Sequence, residues 1–276
     1  MYPNHFYSFS FLNEKWTQLD DLPKGKTYHG SVKIKDSLYI LGGNHNTSID
    51  RFDLNTRNFS TVNSLDELRT SFGVCKYDEN NFIIAGGLVN CNLLTNTCYL
   101  YNVTTNSLKQ IGGLIIKRKG HVLVKSKDGE IYALGGNNYN NPTKTIEKFD
   151  KNSQTWILMN TKLIVGRLAP RAVAYKNFIY IIGGKQQNGG STNCIEKFDT
   201  RTGEIIIIQE KLQVPRCYFA IAKNGHLVYI MGGYVAKNHV KSVSTKLVEI
   251  FNLSSETVEE GKSLPFENSC FTAHIV

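Results

Sequence analysis

A fold of six repeated four-stranded antiparallel β units arranged in a ring is predicted by three features of the sequence. First, an apolar strand stopped by two glycines is written five times: LYILGG at 38–43, FIIAGG at 82–87, IYALGG at 131–136, IYIIGG at 179–184 and VYIMGG at 228–233. Second, each doublet is followed by an aromatic (Phe52, Tyr101, Phe149, Phe198, Phe251), and seven residues later by a large apolar residue (Phe59, Leu108, Trp156, Ile205, Val258). Phe9 and Trp16 form a sixth such pair with no doublet before it. Third, the interval from the apolar residue to the next doublet stays at 26 or 27 residues, whereas that from the second glycine to the aromatic runs 9, 14, 13, 14 and 18. Length variation confined to one segment marks that segment as a surface loop, because packed strands do not tolerate insertion.

Within each repeat the elements follow in order. Strand a is small and apolar, as in SFGVCKY from Ser71, GHVLVKS from Gly120 and FAIAKN from Phe219. Strand b carries the doublet, strand c the aromatic, and strand d begins near the seven-later apolar residue. Turn formers such as DLNTRN, DKNSQT and DTRTGE separate c from d. Four short strands in about 50 residues is the signature of a β-propeller blade. Gly112, Gly113, Gly189 and Gly190 follow no apolar strand and read as loop glycines.

The ring closes through both ends of the chain. A last strand a, SCFTAHIV, joins the first c–d pair in a sixth blade that lacks an evident strand b. The regular interval would place its doublet at position 285. The sequence is therefore read as a piece of a longer chain that supplies the strand upstream or downstream; the alternative is an incomplete blade with residues 1–6 over its gap.

These residues resemble the kelch repeat, whose hallmarks are the strand-ending Gly-Gly, a downstream Tyr and then a Trp. The resemblance covers nearly the whole chain, although only Trp16 and Trp156 keep the Trp, and Phe stands for Tyr at four positions. It implies a single domain over 1–276, with blades at about 24–64, 65–113, 114–162, 163–211 and 212–263 and a closing blade of 264–276 plus 1–23. The doublets Gly42, Gly43, Gly86, Gly87, Gly135, Gly136, Gly183, Gly184, Gly232 and Gly233 are read as structural, since no helix follows them to make a phosphate cradle.

Composition narrows the function classes. No apolar run is long enough to cross a bilayer, and residues 1–16 lack a signal peptide's basic and apolar regions. Six cysteines show no C-x-x-C or zinc spacing, so reduced thiols in a cytoplasmic protein are expected, with no cofactor and no metal. The net charge of +9 is scattered rather than striped, which argues against nucleic acid. His29 and His121 open strand a and read as structural histidines. No nucleophile elbow, metal signature or carboxylate pair emerges, so no catalytic residue is named and the chain is expected not to be an enzyme.

Strand direction alternates, so the b–c and d–a loops share one face, where length diversity and cations concentrate. The partner-binding residues expected there are Lys26, Tyr28, Arg69, Phe72, Arg118, His121, Tyr139, Arg167, Arg171, Arg216, Tyr218 and Tyr234. Arginine forks beside aromatics suit carboxylates, and the expected ligand is an acidic protein or peptide segment. In the largest kelch family such a domain follows BTB and BACK domains and presents substrates to a cullin-type ubiquitin ligase; that role is what the resemblance implies. Alternatives are an actin-associated scaffold and a kelch-fold enzyme acting on a small molecule or sugar.

Overall fold

The structure, a computed structural model, describes residues 5–90, 92–139, 141–236 and 242–276; Cys91, one of the six cysteines, lies outside them. No helix occurs among the described residues. Five four-stranded antiparallel sheets run a-b-c-d. The first is Gly30–Ile34, Ser37–Leu41, Ser48–Asp53 and Phe59–Ser64. The second is Gly73–Lys76, Asn81–Ala85, Cys98–Asn102 and Ser107–Ile111. The third is Val122–Lys125, Ile131–Leu134, Thr145–Asp150 and Thr155–Lys162. The fourth is Arg171–Tyr175, Phe178–Ile182, Cys194–Asp199 and Ile205–Lys211. The fifth is Ala220–Asn224, Leu227–Met231, Val248–Asn252 and Thr257–Gly261.

The seven-residue spacing has a direct cause in register. Phe52 faces Phe59, Tyr101 faces Leu108, Phe149 faces Trp156, Phe198 faces Ile205 and Phe251 faces Val258 across the c–d hairpins. Each pair is therefore a cross-strand neighbour pair, the unit that stabilises an antiparallel ladder. Between them an Asp or Asn side chain accepts backbone N–H groups of the turn, as Asp199 does from Arg201 and Thr202. The apolar faces then meet between blades: Tyr39, Phe82 and Tyr101 pack together from blades one and two, and Tyr180 meets Phe251 from blades four and five.

The sixth blade contains the c–d hairpin Tyr7–Ser10 and Lys15–Gln18, with Phe9 opposite Trp16. Residues 271–276 run in step beside the first strand a: His29 Nε2 meets Thr272 Oγ1, Ser31 Oγ meets His274 Nε2, and Lys33 donates to the Ile275 carbonyl. They form no ladder among the described residues, because no strand b lies beside them. Residues 1–4 lie outside the described ones, and Phe6 packs edge-on against Phe52 and Phe59 of the first blade.

Ring closure is written in six backbone hydrogen bonds. Just before each strand a, one residue with positive φ donates its N–H to its counterpart in the preceding blade. Ser71 donates to the Tyr28 carbonyl (3.0 Å), Gly120 to Ser71 (2.6 Å), Ala169 to Gly120 (2.7 Å), Tyr218 to Ala169 (3.4 Å), Cys270 to Tyr218 (2.8 Å) and Tyr28 to Cys270 (3.4 Å). The circle has six members and no break, so the fold is a six-bladed propeller in which residues 7–18 and 271–276 share one blade.

Candidate functional site

The twelve residues singled out in the sequence separate into two groups. Seven are spent on the fold. The side chains of Arg118, Arg167 and Arg216 are wholly buried, and Arg69 is 1% exposed. Each guanidinium closes its own blade: Arg118 donates to the Gly135 carbonyl (2.8 Å) and to Glu147 (2.7 Å), Arg167 to Gly183 (2.7 Å) and Glu196, and Arg216 to Gly232 (3.0 Å) and Glu249. The carboxylates in turn accept N–H groups of the d–a segment, as Glu147 does from Ile115 (2.6 Å) and Ile116 (3.1 Å). A charge that deep is retained only when paired and hydrogen-bonded. Lys26 does the same in blade one, against Asp50 at 3.1 Å.

The expectation that Lys26, Arg69, Arg118, Arg167 and Arg216 contact a partner is therefore corrected: each links a doublet strand, a strand c or a neighbouring loop inside its blade. Arg69 varies the theme. Tyr99 stands where other blades carry the acid; Arg69 lies over its ring, 5.2 Å from the centroid, and pairs with Glu67 at 2.8 Å. Phe72 and His121 are corrected likewise. Both are buried, and each lies against the first glycine of the preceding blade's doublet: a Cβ on Gly42 would stand 3.0 Å from the Phe72 ring, and one on Gly86 3.0 Å from His121. Burial beside the Arg118 charge lowers the His121 pKa to about 3, so the ring is neutral.

The other five reach the surface. Tyr28, Tyr218 and Tyr234 are half-buried at the axial mouth, with ring centroids 5.5 Å apart for Tyr28–Tyr218 and 6.1 Å for Tyr218–Tyr234. Tyr28 and Tyr218 belong to the hydrogen-bonded circle, so their backbone positions are fixed by ring closure. The remaining members are Ser71, Gly120, Ala169 and Cys270. The rim is consequently lopsided, bulky where blades five, six and one meet and open over blades two to four. Burial raises the pKa values of Tyr28 and Tyr218, so both phenols stay protonated and can donate.

Arg171 lies just inside this rim, two residues past Ala169. Its Nε donates to the Phe219 carbonyl (2.7 Å) and Nη2 to the Phe271 carbonyl (3.4 Å), so the side chain reaches from blade four to blades five and six. Unlike the four blade-closing arginines, it pairs with no carboxylate among the described residues. Tyr139 is 66% exposed on the b–c hairpin of blade three, outside the ring cluster. Cys270, missed in the sequence, completes the rim; it is recognisable only once the spacing of positive-φ residues before strand a is known. The five described cysteines are free and buried. No group of three or more His, Cys, Asp or Glu residues among those described could hold a metal.

Comparison with known proteins agrees with this architecture. The family described as the KLHDC2/KLHL20/DRC7 Kelch-repeats domain matches residues 72–265, more than half of the chain. The chain belongs to the kelch-repeat family and is a protein-interaction propeller domain. It is 26% identical over 163 residues to the F-box/kelch-repeat protein At1g26930 of Arabidopsis thaliana, a match covering 55% of this chain and 38% of that one. It is 26% identical over 186 residues to Kelch repeat protein C2 of vaccinia virus (64% and 34%). It is 25% identical over 143 residues to the Kelch repeat and BTB domain-containing protein 2 of ectromelia virus (50% and 24%). The matches thus span between about a quarter and two fifths of those relatives' lengths.

Among solved structures, that of YjhT superposes with a TM-score of 0.80 over 91% of this chain and 88% of its own, at 16% identity. That likeness shows the fold. It also corrects the expectation that the chain is not an enzyme, because a propeller shared at this level carries catalysis as readily as binding and the fold decides neither.

Proposed function

We propose that the axial mouth of the b–c/d–a face captures an extended protein segment bearing an acidic side chain, and that the domain serves as the substrate-recognition module of a cullin-type ubiquitin-ligase adaptor in the cytoplasm. The observation that carries the reading is Arg171: a half-buried residue beside the rim whose guanidinium is held by two carbonyls and matched by no carboxylate among the described residues. An anion entering between Tyr28 and Tyr218 meets a fork pre-set by those carbonyls, and a charge-assisted bond there contributes more than one in open water. The tyrosines supply rigid apolar walls and phenolic donors, which is the composition of a binding hot spot. The names of two relatives, one an F-box/kelch-repeat protein and one a kelch and BTB domain-containing protein, support an adaptor architecture.

The test is selection from a displayed library of random peptides on the immobilised domain, repeated on Arg171→Gln. Enrichment of Asp- or Glu-containing peptides that bind the wild type and not the variant supports the reading. Enrichment of peptides without acid, or binding unaffected by Arg171→Gln, contradicts it.

A further inference from the structure

Four large apolar side chains stand exposed on the b–c/d–a face among the described residues: Leu93, Ile115, Tyr139 and Ile164, each between 42% and 66% exposed. The other exposed ones sit on the c–d turn of the sixth blade, on the outer strands d of blades three and four, and at residue 276. Backbone hydrogen bonds place the four on consecutive segments. Leu93 lies on the b–c hairpin of blade two, opposite Val89. Ile115 follows Leu114, whose N–H goes to the Asn96 carbonyl of that same b–c segment (2.9 Å). Lys119, on the segment of Ile115, exchanges two backbone bonds (3.0 and 2.8 Å) with Asn137, which opens the hairpin carrying Tyr139. Ile164 follows Leu163, whose N–H goes to the Lys144 carbonyl just beyond that hairpin (2.8 Å). The four therefore trace an arc over blades two to four, along the side where the rim is open.

The fold does not require apolar groups at these places. The N–H groups of Ile115 and Ile164 go to the buried acid of the next blade, Glu147 at 2.6 Å and Glu196 at 2.8 Å. Gln213 does the same toward Glu249 with a polar, exposed side chain. Tyr139 stands third after its glycine doublet with φ +60°, and Asn90 stands third after the preceding one with φ +47°. Asparagine tolerates that left-handed backbone, whereas a bulky ring is strained by it. An exposed ring on strained backbone serves neither solvation nor folding.

Charge selects what covers the arc. Segments 88–97, 114–120, 137–145 and 162–168 contain no Asp or Glu, whereas Lys117, Lys119, Lys144 and Lys162 lie on them. Each such cation adds little affinity, but together they admit an acidic partner and turn away a basic one. We infer that the arc seats a large apolar side chain of the same extended segment whose carboxylate meets Arg171. The recognised sequence is then bipartite, an acid for the axial mouth and an apolar anchor for blades two to four. This rests on the acidic-segment reading for the identity of the ligand. Ile115 and Ile164 stand on backbone already tied down by buried carboxylates, so seating the anchor orders few further groups.

Two displayed peptide pools test it, each with random residues around one fixed position, Glu in the first and Gln in the second. Both are selected on the wild type and on the double variant Tyr139→Asn with Ile115→Ser. Tyr139→Asn relieves the backbone and Ile115 is exposed, so this variant should melt at or above the wild-type temperature. Leu93→Ser with Ile164→Ser is a second variant that should behave alike. The result expected is enrichment in the Glu pool of Leu, Ile, Met, Phe or Trp at one offset from the Glu, lost on the variants. One selected peptide should bind them at least about fivefold more weakly than the wild type. Serine in place of its apolar residue should cause the same loss on the wild type and no further loss on the variants. Enrichment of the Glu pool without an apolar position, or with one that survives on the variants, would overturn the arc and leave the Arg171 reading standing. Apolar enrichment in both pools alike, lost on the variants, would keep the arc and overturn the acid. Enrichment in neither pool would overturn both.

Discussion

Arg118 donates to Glu147 at 2.7 Å with both side chains wholly out of solvent, whereas Arg69, at the same place one blade earlier, lies against Tyr99. One repeat position thus carries two electrostatic solutions. In the first, removing either partner strands a buried charge. In the second, the arginine leaves behind a ring and a partly exposed Glu67, neither of which needs it.

Arg118→Met should therefore cost about 3–5 kcal/mol, the penalty for orphaning a buried partner, and the double variant with Glu147→Leu should recover much of it. Arg69→Met should cost about 1–3 kcal/mol, from the Gly86 and Thr97 carbonyls it leaves unmet. Urea denaturation of the four variants measures this. Equal losses for Arg69→Met and Arg118→Met would contradict the distinction. Charge reversal at Arg118 or Arg167 should unfold the domain rather than report on binding.

The doublets make a second comparison. Gly135 has φ +64°, and a Cβ there would stand 2.9 Å from the Arg167 carbonyl, so Gly135→Val should cost roughly 3 kcal/mol. Gly225 has φ +59° with open space around it, so Gly225→Ala should cost only the conformational term, about 1 kcal/mol. Thermal melts distinguish clash from conformation. A Gly135→Val protein that melts beside Gly225→Ala would remove the steric reading.

Stability should fall in mild acid. Burial lowers the pKa of His121 to about 3 and those of His29 and His274 to about 4, against 6.5 when unfolded. The unfolded chain takes up protons that the native one refuses. The contribution of these rings is thus full above 6.5 and lost as pH falls toward 4, by about 1.4 kcal/mol per pH unit for each group. Phe72 and Phe219 occupy the position of His121 in other blades, so His121→Phe should keep the fold and flatten the curve between pH 6.5 and 4. An unchanged slope would show that His121 does not titrate as its burial dictates.

The architecture was legible because it is repeated: five doublets, six aromatic–apolar pairs and one constant interval translate directly into register. The site was less so, for the same reason. Arg118, Arg167 and Arg216 recur in phase, and a residue that recurs in every blade serves the blade. Their partners were readable too, since Glu147-Lys148-Phe149, Glu196-Lys197-Phe198 and Glu249-Ile250-Phe251 repeat an acid two residues before the aromatic, and Tyr99-Leu100-Tyr101 breaks the pattern where Arg69 is. What marks the mouth is departure from the repeat. Tyr28, Ser71, Gly120, Ala169, Tyr218 and Cys270 share a backbone role and no side-chain identity, and Arg171 has no counterpart in the other blades; no periodicity could single them out.

The central claim is that an acidic ligand is held by Arg171 and not by the cationic face at large. Its most direct test is the affinity of one selected acidic peptide for the wild type, Arg171→Gln and Lys117→Gln, at one salt concentration, with melting temperatures recorded alongside. Lys117 is an exposed cation of the same face. Loss of a charge-assisted hydrogen bond predicts at least about tenfold weaker binding for Arg171→Gln and little change for Lys117→Gln. Equal, small losses in two well-folded variants would mean that diffuse charge attracts the ligand, and that the axial mouth is not the site.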